Sequence, residues 1–133
     1  MSAALTRAAN PVIHDDISTI GITIDGGGSA ITTGVKGFIQ VPFDCTIVSS
    51  TLLSDIDGDI VIDVWKDTYA NYPPTVGDTI TASAKPTLSA GKKALDVSLT
   101  GWNTTIFAGD VLGFNVDSAA TLTRVTLHLK VIK

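Results

Sequence analysis

The sequence predicts an all-β protein, and three observations favour that fold class. The 133-residue chain contains 18 Thr and 13 Asp but no Glu. Thr fits the pleated surface of a strand and Asp favours turns, whereas Glu, a strong helix former, is missing. Apolar residues alternate with polar ones along most of the chain, and Gly, Pro and Asp separate the alternating runs. We therefore expect an antiparallel β-sandwich or jelly roll of about eight strands with an extended N-terminal arm.

Residues 1–17 differ from the rest of the chain and form the predicted arm. They are rich in Ala, contain Pro11, and show no sustained period of two or 3.6. Such a segment buries too little apolar surface to order itself alone, but it can order against a partner. We expect one β-sandwich domain over 18–133, since a domain usually has roughly 100–150 residues. The apolar side chains expected to anchor the arm are Leu5, Val12 and Ile13.

Two strands and a glycine-rich loop are predicted at the start of the domain. Isoleucine occupies every second position over 20–24, which predicts a strand with one apolar face. The run ends at 25–29, an Asp-Gly-Gly-Gly-Ser loop that needs unusual dihedral angles. A second strand is predicted over 35–43, where Pro42 indicates an edge or a bend.

A β-hairpin is predicted next. Its strands cover 45–53 and 60–66. Asp57-Gly58 lies between them and suits the type I′ turn that joins hairpin strands. Side chains alternate between the two faces of the second of these strands. Ile60, Ile62 and Val64 are predicted on one face, and Val61, Asp63 and Trp65 on the other.

The second half of the chain contains one irregular segment and three further strands. The stretch 67–86 is too long for a structureless connection in a compact domain, so a helical turn or a short strand near 79–82 is expected. Alternation returns over 95–99 and 112–116. The last strand has the clearest pattern, with four apolar side chains predicted to face inward. They are Val125, Leu127, Leu129 and Val131.

Charge and hydropathy argue against two classes of partner. The net charge is −4 and the nine basic residues are scattered, whereas nucleic-acid binding needs clustered Lys and Arg. No apolar run reaches the ~18 residues of a membrane span, and the first residues lack the apolar core of a signal peptide. The single cysteine, Cys45, cannot form an intrachain disulfide and is expected to be buried. We expect a soluble protein that binds neither nucleic acid nor a membrane.

The residues that could carry chemistry are not arranged for it, so we expect neither enzymatic activity nor a cofactor. The two His residues, His14 and His128, lie beside no nucleophile-elbow pattern. The acidic turn 55–59 is rich in oxygen ligands but lacks the spacing and the closing Glu of an EF-hand. A hairpin turn is the favoured interpretation of this segment, and a weak calcium site is the alternative. The run 14–16, His-Asp-Asp, is interpreted as part of the surface arm rather than as a metal site.

Three aromatic residues, Trp65, Tyr69 and Tyr72, form the one constellation that suggests a function. In the favoured interpretation, Trp65 packs under the 67–86 segment and covers one face of a sheet. The alternatives are a protein interface and a glycan contact, because exposed Trp and Tyr mark interfaces and aromatic faces stack on sugar rings.

Six segments of the chain carry a resemblance to a known family. They cover 24–37, 41–47, 60–75, 83–89, 99–102 and 108–118. Between Gly21 and Lys130, about four-fifths of the chain, they resemble a module of structural proteins in tailed bacteriophages. The Trp-Lys-Asp-Thr-Tyr sequence at 65–69 is the most distinctive part.

The resemblance implies a non-enzymatic β-sandwich in the virion, made in the host bacterial cytoplasm and commonly homotrimeric. It carries over no catalytic residue. The module stands here behind a short arm, which favours a capsid decoration (cement) protein that binds the major capsid protein or another virion protein and stabilises the shell. The alternative is a tail or fibre module that recognises a host surface glycan.

Overall fold

The computed structural model describes residues 16–133, and this part of the chain is all-β, as predicted. The predicted anchoring residues Leu5, Val12 and Ile13 lie outside the described residues. Two single-turn 3-10 helices are the helical elements of the described range; they cover Tyr69–Asn71 and Val76–Asp78. The seven strands are β1 (Ile17–Asp25), β2 (Gly34–Gln40), β3 (Cys45–Asp67), β4 (Thr87–Asp96), β5 (Thr105–Ile106), β6 (Val111–Ala120) and β7 (Arg124–Ile132).

The seven strands form one curled antiparallel sheet. Its main order is β1-β7-β3-β6-β2, and β4 and β5 also pair with β3. The first half of β3 pairs with β7 over 46–54, and the second half pairs with β6 over 59–67. The outer strands β1 and β2 meet, because a Cβ built on Gly37 would lie 3.0 Å from Cδ1 of Ile22. β3 therefore belongs to both halves of the sheet, the half that contains β1 and β7 and the half that contains β6 and β2. The sandwich or jelly roll stays a prediction.

The predicted hairpin at Asp57-Gly58 is wrong, because β3 runs unbroken for 23 residues through both positions. A type I′ turn needs a positive φ at both central residues, and neither Asp57 nor Gly58 has one. The pairing with β4 shifts register on either side of Gly58, so the strand bends there without reversing. Two predicted strands are therefore one, and the described range has seven strands where about eight were expected.

The strand predicted around 95–99 is displaced toward the N-terminus. β4 ends at Asp96, whose Oδ1 accepts hydrogen bonds from the backbone N–H groups of Ser98 (2.9 Å) and Leu99 (3.1 Å). These bonds turn the chain and end the strand, so Val97 lies beyond it and stays exposed. The predicted short element near 79–82 is a single bridge between Thr79 and Trp65.

The core fills the inside of the curl. The last strand was predicted to turn four apolar side chains inward, and all four are fully buried. They are Val125, Leu127, Leu129 and Val131. Phe114 is the largest of the fully buried side chains and lies on β6. Cys45 is buried, as predicted, and burial raises the pKa of its thiol, with a smaller contribution from the negative charge of Asp44. Over residues 16–133, no helix is long and apolar enough to cross a membrane.

Candidate functional site

An open hollow of about 420 Å³ lies on the outer surface of the sheet, and it is the candidate site that brings exposed aromatic side chains together. We name it the aromatic hollow. Its lining residues are Phe38, Gln40, Tyr69, Tyr72 and Val111.

Two strands supply one side of the aromatic hollow. In the register of the sheet, Phe38 pairs with Gly113, and Gln40 pairs with Val111. Residues two apart on a strand face the same way, so Phe38 and Gln40 project side by side. Gly113 makes room for this arrangement, since a Cβ there would stand 3.2 Å from both Phe38 Cε1 and Pro74 Cγ.

The first 3-10 helix supplies the opposite side. The hydroxyl of Thr68 accepts a hydrogen bond from the backbone N–H of Asn71 (3.3 Å), which caps the turn. Oδ1 of Asp67 accepts from the backbone N–H of Thr68 (2.7 Å) and from the side-chain amide of Asn71 (3.4 Å). The positions of Tyr69 and Tyr72 are therefore set by hydrogen bonds made within the turn itself.

The aromatic side chains around the hollow are open to solvent. The exposed fractions are 71% for Tyr69, 49% for Tyr72 and 39% for Phe38. Phe38 and Tyr72 make an edge-to-face contact, with ring centroids 5.0 Å apart and ring planes at 69°. Val111 is buried and forms the floor. The hollow thus offers two Tyr rings beside a third aromatic ring and an amide.

The structure separates Trp65 from the two tyrosines with which the sequence grouped it. Trp65 is 8% exposed and its Nε1 donates a hydrogen bond to Oδ2 of Asp63 (3.0 Å). The chain after β3 passes over it and pairs with it at Thr79. Tyr69 and Tyr72 line the hollow, while Trp65 does not.

Asp63 fastens the segment that covers Trp65. Its buried carboxylate accepts hydrogen bonds from the hydroxyls of Thr79 (2.6 Å) and Thr81 (2.7 Å), in addition to the indole N–H. Lys85 Nζ lies 3.8 Å from Asp63 Oδ2 and 2.7 Å from Asp117 Oδ2. The pKa of Lys85 is raised, mainly by its hydrogen bond to Asp117. Burial acts in the opposite direction and lowers this pKa. This network is a structural clamp, because every buried polar side-chain atom in it has a partner.

A second surface lies where β3 and β4 pair, and we name it the β3–β4 face. It surrounds a depression of about 440 Å³. Leu53 and Leu95 are exposed there at 44% and 67%, although neighbouring Leu52 on the other side of β3 is buried. The depression is lined by Thr51, Leu53, Lys93, Ala94 and Leu95. These residues place an exposed apolar patch on regular strands.

The acidic segment 55–59 is part of β3. Oδ1 of Asp59 accepts a hydrogen bond from the backbone N–H of Ala90 (2.7 Å), so this carboxylate holds a bend of β4. Within the described range 16–133, no group of three or more His, Cys or Asp side chains is placed to hold a metal ion.

The comparisons with known proteins include a distant similarity to a solved structure. Neither a protein-family model nor a curated protein matches the chain. Among solved structures, a chain of the cyanophage Pam1 capsid asymmetric unit matches over 99% of both chains, with 13% identity and a TM-score of 0.26. A similarity this low defines neither the fold nor the function of this chain.

Sequence reasoning missed three residues of the aromatic hollow, namely Phe38, Gln40 and Val111. The alternation of β2 places Phe38 and Gln40 on one face of that strand. No sequence signal pairs β2 with β6, which are more than 70 residues apart. The hollow depends on that pairing, so it becomes visible only in the folded chain.

Proposed function

We propose that the chain is a non-enzymatic structural protein of a bacteriophage particle, and that it decorates the capsid and stabilises the shell. The resemblance of its sequence to tailed-phage structural proteins supports the virion role. The observation that carries the decoration role is the β3–β4 face, an exposed apolar surface on paired strands. Surfaces of this kind mark sites of protein–protein contact.

The composition of the β3–β4 face suits a capsid neighbour. Leu53 and Leu95 supply an apolar centre, while Thr51 and Lys93 supply a polar edge, as in many protein interfaces. Both leucines lie on strands that are hydrogen-bonded to each other, so contact with a partner requires little ordering of the backbone. The β3–β4 face is therefore ready to bind a folded protein surface, such as that of a capsid subunit.

The N-terminal residues supply a second proposed contact. The backbone N–H of Lys133 donates to the carbonyl of Asp16 (2.8 Å), and Lys133 Nζ lies 3.7 Å from Asp16 Oδ2. The start of the described chain is thus fixed beside its last residue. An arm of residues 1–15 that orders on a neighbouring capsid subunit would add contact area to the interface.

Deleting residues 1–15 is expected to leave the body folded and to abolish binding to capsids. The deletion stops before Asp16, because that residue holds Lys133 and the next one begins β1.

The double substitution Leu53→Asp and Leu95→Asp is expected to weaken binding to capsids about tenfold or more, because it charges the apolar centre of the β3–β4 face. Co-sedimentation with undecorated capsids measures both effects, and electron microscopy locates the wild-type protein on the particle.

The matched control for the double substitution is Val76→Asp, which charges an apolar residue on the second 3-10 helix that is about as exposed as Leu95. It should bind capsids like the wild type, and thermal unfolding shows whether each variant is folded. Undiminished binding by both the truncated protein and the Leu53→Asp/Leu95→Asp variant would contradict the decoration role.

We also propose that the protein is a homotrimer, as its resemblance to phage structural modules suggests. Native mass spectrometry is expected to give three times the chain mass of 13.8 kDa. A monomer at micromolar concentration would contradict this proposal and leave capsid binding as a separate question.

A tail or fibre module that recognises a host surface glycan is the second candidate. The aromatic hollow is the observation that favours it, since two exposed Tyr rings there stand beside polar groups. In electron micrographs, this role places the protein at the tail rather than over the capsid surface.

A further inference from the structure

We propose that the aromatic hollow binds a neutral saccharide. The proposal goes beyond attachment to the capsid, and it deepens the second candidate function by naming the class of sugar that the hollow takes. It rests on the rings, the polar groups and the charges that the fold brings together at the hollow. The residues that line the hollow are different from those that line the β3–β4 face.

The walls of the hollow match the apolar face of a sugar ring. A pyranose presents C–H groups on its faces and hydroxyls around its rim. Tyr69 and Tyr72 expose their rings to solvent, and the edge contact with Phe38 restrains the ring of Tyr72. The volume of about 420 Å³ lies within the range of roughly 300–1,000 Å³ typical of small-ligand sites.

The polar groups of the hollow match the hydroxyl rim. Nε2 of Gln40 donates to the carbonyl of Gly109 (3.3 Å), which orients the amide and leaves its oxygen available as an acceptor. The Tyr hydroxyls can both donate and accept. An apolar peptide side chain placed here would cover these groups without pairing them, which is unfavourable, whereas a sugar hydroxyl can pair with each.

The charge around the hollow favours a neutral sugar over an anionic one. None of the lining residues is Lys or Arg. The Nζ of neighbouring Lys66 donates instead to the carbonyl of Thr105. Asp67 pairs with Val111 in the sheet, in the same row as Gln40, so a carboxylate lies beside the floor of the hollow. A sulfated or carboxylated sugar would meet this negative charge without a cationic partner.

The hollow is also largely prepared for a ligand. Hydrogen bonds from Asp67 and Thr68 fix the turn that carries Tyr69, and the backbone N–H of Tyr72 donates to the carbonyl of Tyr69 (3.2 Å). A turn held in this way keeps its backbone conformation when a ligand binds, which lowers the conformational cost of binding.

Full-length protein applied to an array of neutral and anionic glycans tests the proposal, and ligand-observed NMR titration then measures the affinity for the bound glycans. We expect binding to at least one neutral glycan and weaker or no binding to carboxylated and sulfated ones. Tyr72→Ala should weaken binding about tenfold or more, because it removes a ring face from the site. Tyr69→Ala, at a more exposed position, is the second variant should Tyr72→Ala fail to fold.

Phe107→Ala is the matched control. Phe107 is also an exposed aromatic residue, but it lines a different depression beside Asp44 and Lys133. Its loss should leave glycan binding unchanged. The proposal is overturned if no neutral glycan binds, if only anionic glycans bind, or if a folded Tyr72→Ala or Tyr69→Ala variant binds like the wild type. None of these results affects the capsid-binding experiment, which probes the arm and the β3–β4 face.

Discussion

Replacing Asp63 with alanine is expected to lower the free energy of unfolding by about 3 kcal/mol. The carboxylate is buried and accepts from the hydroxyls of Thr79 and Thr81 and from the indole of Trp65. Its removal leaves these donors without an acceptor in a place that water reaches poorly. Urea unfolding followed by tryptophan fluorescence measures the change.

The control for Asp63→Ala is Asp117→Ala. Asp117 bonds to Lys85 and to Asn115 but is partly exposed, so water can replace its contacts. We expect its loss to lower the free energy of unfolding by less than about 1 kcal/mol. Asp63→Asn should fall between the two alanine variants, because it keeps one acceptor oxygen and the shape of the side chain. Equal stability of Asp63→Ala and Asp117→Ala would show that the clamp does not hold the covering segment.

Replacing Gly58 with alanine is expected to lower the free energy of unfolding by about 2 kcal/mol through overpacking. The added Cβ would lie 2.6 Å from Cδ2 of Leu122 and 3.0 Å from the carbonyl oxygen of Ala120. Leu122 is fully buried, so its side chain has no free space to enter. Chemical denaturation measures the loss of stability. If the free energy of unfolding depends on denaturant concentration with the same slope as in the wild type, the variant exposes a similar surface area on unfolding.

Gly91→Ala is a closely matched control, because Gly91 is the residue that pairs with Gly58 across β3 and β4. Its new Cβ would find its nearest neighbour, the carbonyl oxygen of Ser89, at 3.6 Å, which is an ordinary contact. This variant should be as stable as the wild type or slightly more stable, since Ala restricts the unfolded chain. A Gly58→Ala variant as stable as Gly91→Ala would mean that Leu122 repacks freely.

The sequence predicted the all-β class and the last strand because local patterns determine both. One face of β7 is entirely buried, so its apolar residues must recur at every second position. The bend of β3 was not predictable in the same way. Asp57-Gly58 suits a hairpin turn and also suits a bulged strand, and the choice depends on β4, β6 and Leu122, which are distant in sequence.

The candidate site was predicted in part for the same reason. Alternation placed Trp65 on the face of its strand opposite Ile62 and Val64, and the favoured interpretation put it under the 67–86 segment, where the structure has it buried. Tyr69 and Tyr72 were chosen as candidates by residue type alone. Their neighbours Phe38 and Val111 come from two other strands, and only the register between those strands brings them together.

The shared strand β3 has a consequence for unfolding. Its first half is hydrogen-bonded to β7 and its second half to β6, so one unbroken backbone passes through both halves of the curled sheet. Either half of the sheet can separate only by breaking hydrogen bonds to this one strand, so we expect the two halves to unfold together rather than one at a time.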